Sequence, residues 1–211
     1  MLDVCEIFHS LQGETTRAGF PTVFVRLAGC NLACKYCDTK YAWEPGEKMS
    51  VSDVLERVRK YNCNRVELTG GEPMAQAEAY ELCQKLVELG FSVMVETNGT
   101  FDVSTLPPAV VKIVDIKCPS SGESGKFLWS NLKYLSSNDE LKFVLTTRED
   151  FDWALSLIDE KNLSSVCTVN ISPASHSIDG QEVARWILES GRGVRLNLQL
   201  HKIIWGDKRG V

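Results

Sequence analysis

The chain has 211 residues, 44% hydrophobic and 24% charged, with a formal net charge of −5; that size suits one globular domain over 1–211 and buries a core without staples. An acidic balance with no long Lys/Arg run argues against nucleic acid as the partner, and no apolar stretch approaches the ~18 residues that cross a bilayer. The start, MLDVCEIFHSLQGE, lacks the basic and apolar regions of a signal peptide, and eight cysteines are too sparse for a disulfide scaffold, so a cytoplasmic protein is expected in which clustered cysteines act as ligands.

The first long apolar run, TVFVRLAG (22–29), reads as a strand and leads into GCNLACKYC (29–37). In SVSDVLERVRKY (50–61), Val51, Val54, Leu55, Val58 and Tyr61 recur at helical spacing, with Ser50 as N-cap and Asp53 three residues on. RVELTG (65–70) is the next strand, and Ala79, Leu82, Cys83, Leu86 and Leu89 mark a helix ending at Gly90. Strands follow at FSVMVET (91–97) and AVVKIVDI (109–116), then the loop KCPSSGESG and a weak helix near 126–136. ELKFVLTT (140–147) is a strand, and Phe151, Ala154, Leu155 and Ile158 define a helix with Thr147 and Asp150 near its start. After the strand SVCTVNIS (165–172), Val183, Ala184, Ile187 and Leu188 give a last helix closed by Gly191, and GVRLNLQL (193–200) a last strand.

Strands alternating with helices imply parallel sheet built from βα units. About seven strands fall short of the eight strands and ~250 residues of a complete (β/α)₈ barrel. The expected fold is α/β: an incomplete, open (β/α) barrel with about six to seven mostly parallel strands, a doubly wound open sheet being the competitor. In either, ligands sit at the C-terminal strand ends. CNLACKYC, GGEP, ETNG, IKCPSS and ISPAS each follow a predicted strand, which gathers them around one shared site.

Cys30, Cys34 and Cys37 are spaced C-x3-C-x2-C with no fourth cysteine nearby. Thiolates are soft ligands, suited to zinc or to iron–sulfur clusters. A structural zinc site closes with a fourth ligand, and His9 has no partner at finger spacing. Electron-transfer clusters use four cysteines, so three from one loop suit a 4Fe–4S cluster whose fourth iron stays free to bind something else. Zinc completed by a distant cysteine, or three unligated thiols, are the plain alternatives. Cys5, Cys63, Cys83, Cys118 and Cys167 are scattered and read as structural, Cys83 on an apolar helical stripe.

The cysteine triad with Tyr36 before its last member, followed by GGEP at 70–73, resembles the signature of radical S-adenosylmethionine (SAM) enzymes. That resemblance implies that the methionine amino and carboxylate groups of the cofactor bind the free iron, and that one electron splits the sulfonium to a 5′-deoxyadenosyl radical. Read as residues, Gly70 and Gly71 allow close backbone approach, and Glu72 offers a carboxylate to fix the loop or to meet the amino group. FHSLQGET (8–15), FVRLAGCNLACKYCDTKYAW (24–43), VETNGT (95–100) and LQLHKIIWGDKRGV (198–211) are together similar to the 7-carboxy-7-deazaguanine synthase family, over essentially the whole chain. The likeness implies ring contraction of 6-carboxy-5,6,7,8-tetrahydropterin to 7-carboxy-7-deazaguanine with release of ammonia, in queuosine or deazapurine biosynthesis. It also implies Mg²⁺, a homodimer, and an external one-electron reductant of flavodoxin or ferredoxin type.

By the same resemblance, Cys30, Cys34 and Cys37 hold the cluster, and the Thr39 hydroxyl binds Mg²⁺, a cation that keeps several waters. Tyr36, Cys37 and Asp38 meet the adenine side of the cofactor; Gly70, Gly71, Glu72 and Gly99 are further cofactor contacts, as are Ser172 and Pro173. Asp115, Ile116 and Lys117 align with a cofactor loop that is usually Ser-Pro-Lys, of which only the lysine is kept. Leu11, Gln12 and Gly13 line the pterin and Thr97 touches it. Glu14 suits the pterin N–C–N edge, because a carboxylate accepts two parallel hydrogen bonds. Arg26 suits the substrate carboxylate by its planar fork. His201 is placed near the pterin as a hydrogen-bond partner or proton shuttle, and no other catalytic side chain is expected beyond the cluster and cofactor. A glycyl-radical-enzyme activase would share the cluster and GGEP but not LQGE, Thr39 or QLHKIIW; a non-enzymatic zinc or cluster module would share the cysteines alone.

Overall fold

Val23, Val25 and Leu27 alternate along one strand and are each fully buried, the period of two that a pleated strand requires. They belong to a nine-stranded sheet seen in a computed structural model that describes residues 1–175 and 177–211. The strands are β1 (Leu2–Leu11), β2 (Pro21–Leu27), β3 (Glu47–Met49), β4 (Arg65–Gly70), β5 (Ser92–Thr97), β6 (Val111–Asp115), β7 (Glu140–Leu145), β8 (Thr168–Pro173) and β9 (Arg195–Leu196). Their order is β3-β1-β2-β4-β5-β6-β7-β8-β9. From β2 onward every neighbouring pair is parallel, while β1 is antiparallel to both β2 and β3. The seven parallel strands match the expected number, and the sheet stays open rather than closing into a barrel.

Among the described residues five α-helices accompany the sheet: α1 (Val51–Arg59), α2 (Ala77–Glu88), α3 (Arg148–Glu160), α4 (Gly180–Ser190) and α5 (Leu200–Trp205). Ser50 and Asp53 form a reciprocal capping box on α1. Thr147 accepts from Asp150 N at the start of α3, and Gly191 closes α4 in the left-handed region. One apolar cluster, with Val25, Leu68, Leu82, Cys83 and Val95 at its heart, joins the first strands to α1 and α2. A second, around Phe143, Phe151, Ile171 and Trp186, joins β7 and β8 to α3 and α4.

Three expectations change. β1 and β3 carry no clean apolar alternation and were not legible as strands; β1 presents Phe8 and Ser10 to a cavity instead of a core. The helix expected near 126–136 is a 3₁₀ segment, Trp129–Tyr134. Buried Asn131 is fastened there to the carbonyls of Gly99 (3.1 Å) and Phe101 (2.9 Å), which sets the turn. The strand expected over 193–200 shrinks to Arg195–Leu196, because Leu200 N leaves the sheet to donate to Gly13 O (2.7 Å) and α5 begins.

That contact is one of several that cross the gap of the open sheet. Thr15 N donates to Asn197 Oδ1 (2.7 Å) and Thr16 Oγ1 to Glu140 Oε1 (2.6 Å). The β1–β2 loop thus ties one end of the sheet to the other. Thr15 pays for the crossing with a φ of 66°, a conformation that β-branched residues rarely adopt. No helix among the described residues is long and apolar enough to cross a membrane.

Candidate active site

The C-terminal ends of the parallel strands surround a cavity of about 540 Å³. Its first wall begins where β2 ends. Gly29 N donates to Ala42 O (2.7 Å), which turns the chain into the cysteine loop. Leu32 N reaches Cys30 Sγ (3.4 Å), Cys37 N donates to Cys34 O (3.2 Å), and Lys35 N holds the loop to Ser121 O (3.0 Å). All three thiols lie on the wall. Burial pushes the Cys34 thiol up to about 11 and raises that of Cys30 as well.

The Gly-Gly pair serves a purpose the sequence did not specify. A Cβ on Gly70 would stand 2.1 Å from Leu27 O, and one on Gly71 1.9 Å from Gly29 O. Gly71 N donates to Leu27 O (3.0 Å) and Glu72 N to Gly29 O (2.9 Å). These glycines let the loop after β4 lie against the entrance of the cysteine loop, backbone on backbone. Glu72, fully buried, accepts from Thr97 Oγ1 (2.7 Å), Asn98 N (2.6 Å) and Met74 N (2.9 Å). Its carboxylate is thus committed to fixing the loop, the first of the two roles it could have had.

On β6, Asp115 Oδ2 accepts from Lys117 Nζ (2.8 Å), while its buried Oδ1 has no partner among the described residues. A buried acceptor left open invites a donor from a ligand. Three soft donors on one loop, flanked by this open acceptor and the close-packed glycines, fit a cubane cluster and a polar, cationic cofactor beside it. At the rim, Thr39 Oγ1 donates to Asp38 Oδ1 (2.9 Å), and Asp38 Oδ2 accepts from Lys202 Nζ (2.6 Å). Burial opposes ionisation of Asp38, but Lys202, Gln199 and Thr39 outweigh it and hold the carboxyl far below the usual range. The adjacent oxygens of Thr39 and Asp38 are the hard donors that Mg²⁺ takes.

The opposite wall is built from strand side chains. Phe8 and Phe24 stack with centroids 5.0 Å apart and planes 14° from parallel. Arg26 lies 5.8 Å from the ring centroids of both Phe8 and Tyr41 and donates from Nε to Glu6 Oε1 (2.8 Å). Glu14 accepts from Lys142 Nζ (2.7 Å) and Gln199 Nε2 (2.9 Å). Burial disfavours the Glu14 carboxylate, yet Lys142 and Gln199 prevail and its carboxyl is held below the ordinary range. Lys142 also contacts Glu96 Oε1, and Gln12 Nε2 contacts Glu67 Oε2. His201 packs on Gly13, where a Cβ would meet its Nδ1 at 1.9 Å, and burial lowers its pKa so that the ring stays neutral.

Most sequence-predicted site residues share this cavity. Leu11, Gln12, Gly13, Glu14, Arg26, Thr97 and His201 line it on one side, and Tyr36, Cys37, Asp38 and Thr39 on another. Gly70, Gly71, Asp115, Lys117, Ser172 and Pro173 complete the wall. Glu72 lies behind it, Ile116 sits in the second core cluster, and Gly99 (φ 71°) faces the Phe127 ring. Sequence reasoning missed Glu67, Glu96 and Lys142. The signal was there: Glu67 and Lys142 are charged residues between apolar neighbours in short strands, and Glu96 follows an apolar run, as in VELTG, ELKFV and VMVET. The tail also lines the cavity, with Arg209 Cζ 3.9 Å from the Tyr41 ring centroid.

Residues 24–117 match the family model of the radical SAM superfamily, which agrees with the triad-bearing loop on the open parallel sheet: this is a radical SAM enzyme. It is 42% identical to the 7-carboxy-7-deazaguanine synthase of Koribacter versatilis, over all of both chains. It is 40% identical to that of Chlorobaculum tepidum, over 100% of this chain and 97% of the relative. A crystal structure of QueE from Escherichia coli matches with a TM-score of 0.77 at 26% identity, covering 94% of this chain and 93% of that one. The chain belongs to the 7-carboxy-7-deazaguanine synthase family. Membership implies a 4Fe–4S cluster and S-adenosylmethionine as its cofactors.

Proposed function

We propose that this chain contracts the ring of 6-carboxy-5,6,7,8-tetrahydropterin to 7-carboxy-7-deazaguanine and releases ammonia. The observation that carries this reading is a single cavity lined together by the three-thiol loop, a stacked aromatic pair, Arg26 and Glu14. When bound, the cluster and S-adenosylmethionine supply one-electron cleavage of a carbon–sulfur bond and the hydrogen abstraction that starts the reaction.

The chain's own residues bind and orient. Phe8 and Phe24 offer an apolar surface for a flat heterocycle. Glu14, kept ionised by Lys142, accepts from the N–C–N edge of the pterin, and Gln12 and Gly13 fit beside it. Arg26, steadied by Glu6 and two rings, receives the substrate carboxylate. Thr39 would hold Mg²⁺ through its hydroxyl, and the cation would supply positive charge for the substrate carboxylate. Asp115, Lys117 and Ser172 bind the cofactor with the backbone of Tyr36, Cys37 and Asp38. His201, neutral by burial, bonds the pterin edge.

The reading extends to a single domain over 1–211, a homodimer, a cytoplasmic setting and a flavodoxin- or ferredoxin-like electron donor. Anaerobic incubation of the reconstituted protein with the pterin, S-adenosylmethionine, Mg²⁺ and a reductant should yield a product lighter by one ammonia. Recovery of unchanged pterin beside cleaved cofactor would refute the assignment.

A further inference from the structure

Three carboxyl groups and one lysine line the cavity together: Glu14 from the β1–β2 loop, Glu67 from β4, Glu96 from β5 and Lys142 from β7. Phe24 on β2 pairs in register with Glu67 on β4, Glu96 lies on β5, and Lys142 on β7 pairs with Asp115 on β6. The ammonium of Lys142 contacts Glu14 (2.7 Å) and Glu96, and no contact joins it to Glu67. Arg26, the other cation facing this group, is held by Glu6 at 2.8 Å. Glu67 is 2% exposed, and its side-chain partner is the amide of Gln12.

One buried and two half-buried carboxylates against one ammonium is an unfavourable balance. Protonating one carboxyl relieves it, and the carboxyl without a cation is the one to protonate. Burial, reinforced by the charges on Glu96 and Glu14, pushes the Glu67 carboxyl well above the usual range, against a smaller opposing effect of Lys142 and Arg26. The neutral His201 ring and ionised Glu14 stand on the same wall. The cavity therefore stores one acidic proton.

Resting on the proposed ring contraction, we infer that Glu67 is the general acid that protonates the departing nitrogen. In that step the carbon–nitrogen bond breaks and its electron pair leaves with nitrogen. The Glu67 proton moves to that nitrogen, and ammonia departs. The Glu67 carboxylate then takes the proton that the ring gives up as it becomes aromatic. The acid is restored, and substrate less NH₃ equals product, with no added oxidant or reductant in this step. The ionised Glu14 cannot take this role, since Lys142 keeps its proton off, and Glu96 is itself paired with that lysine.

The test is Glu67→Gln, which keeps shape and hydrogen bonding but has no acidic proton. In the reconstituted protein, kcat should fall ~10²-fold or more, while the pterin Kd, cofactor Kd and iron content stay within about twofold of the parent. Difference infrared spectra of parent against variant should show the carbonyl band of a neutral carboxyl in the parent alone. The parent's kcat should decline at high pH as Glu67 ionises, and the residual rate of the variant should lack that decline. A variant that turns over like the parent, or spectra with no such band, overturns the inference while ring contraction stands. A parent that makes no deazapurine overturns both. Should the variant fail to fold, the parent's own profile decides: a kcat that holds steady through high pH sinks the general acid.

Discussion

The two walls of the cavity are built on opposite plans. The cysteine wall is made of loops and backbone: Gly29, Gly70 and Gly71 bring two chain segments within hydrogen-bond distance, and the Glu72 carboxylate is consumed in tying the second of them to Thr97 and Asn98. The facing wall is made of side chains from separate strands, a loop and α5, as where Phe24 on β2 stands in register with Glu67 on β4. A ligand held by backbone and consecutive thiols tolerates little change in local sequence. A ligand held by scattered side chains depends instead on the charge balance among them. The first wall should therefore fail by losing its ligand, and the second by losing stability or protonation state.

The largest effect belongs to the cysteine wall. Replacing Cys30, Cys34 or Cys37 by Ala should abolish turnover and deplete iron after reconstitution, with the thermal midpoint within a few degrees of the parent apoprotein. These thiols stand on a cavity wall and anchor no core cluster. Retained activity in any one variant would contradict the cluster assignment. On the facing wall the largest effect comes from Lys142→Met. It leaves Glu14 and Glu96 facing each other without their cation. Breaking a buried pair from one side costs about 3 kcal/mol or more, readable as a drop in the denaturant midpoint, and Lys142→Arg should recover most of it. A loss under ~1 kcal/mol would show that water entering the cavity screens both carboxylates.

The unequal plans also explain what could be read from sequence. The cysteine wall is contiguous, so its chemistry was legible as a motif, and the parallel strands were legible as apolar runs between helical stripes. Glu67, Glu96 and Lys142 were not assigned, because a charge inside a strand has no meaning until its neighbours are known. β1 was overlooked because Phe8 and Ser10 serve the cavity and break the alternation that marks a core strand. The short β9 failed for a related reason: an edge strand gives up its ladder when a loop across the gap, here Gly13, offers a better acceptor to Leu200.

Gly71→Ala should act at an intermediate scale. Its new methyl must displace the Gly29 carbonyl, since the two would stand 1.9 Å apart. Overpacking of this kind costs roughly 1–3 kcal/mol, and it should loosen the cysteine loop, so that cofactor affinity falls with the stability of the apoprotein. Unchanged cofactor affinity in a destabilised Gly71→Ala protein would separate the loop contact from the binding site.

The smallest effect tests how closed the second wall is. His201 is kept neutral chiefly by burial, with Lys202 acting in the same sense and Glu14 and Asp38 against it. Its pKa in the folded chain is thus lower than the ~6.5 of an exposed imidazole. As pH falls below ~6.5 the unfolded chain takes up this proton first, so stability due to the neutral ring is complete above that pH and is lost as pH drops toward the folded value. Buried Glu67 works in the opposite sense, since its raised pKa makes the folded chain the better proton binder; only a difference between two proteins can isolate the histidine. Denaturant midpoints of the parent and His201→Gln should therefore converge or cross as pH falls from 7.5 to 5.5, by an amount under about 1 kcal/mol. Midpoints that stay parallel would mean that the imidazole is solvated like a free one, and that α5 leaves the pterin side of the cavity open to water.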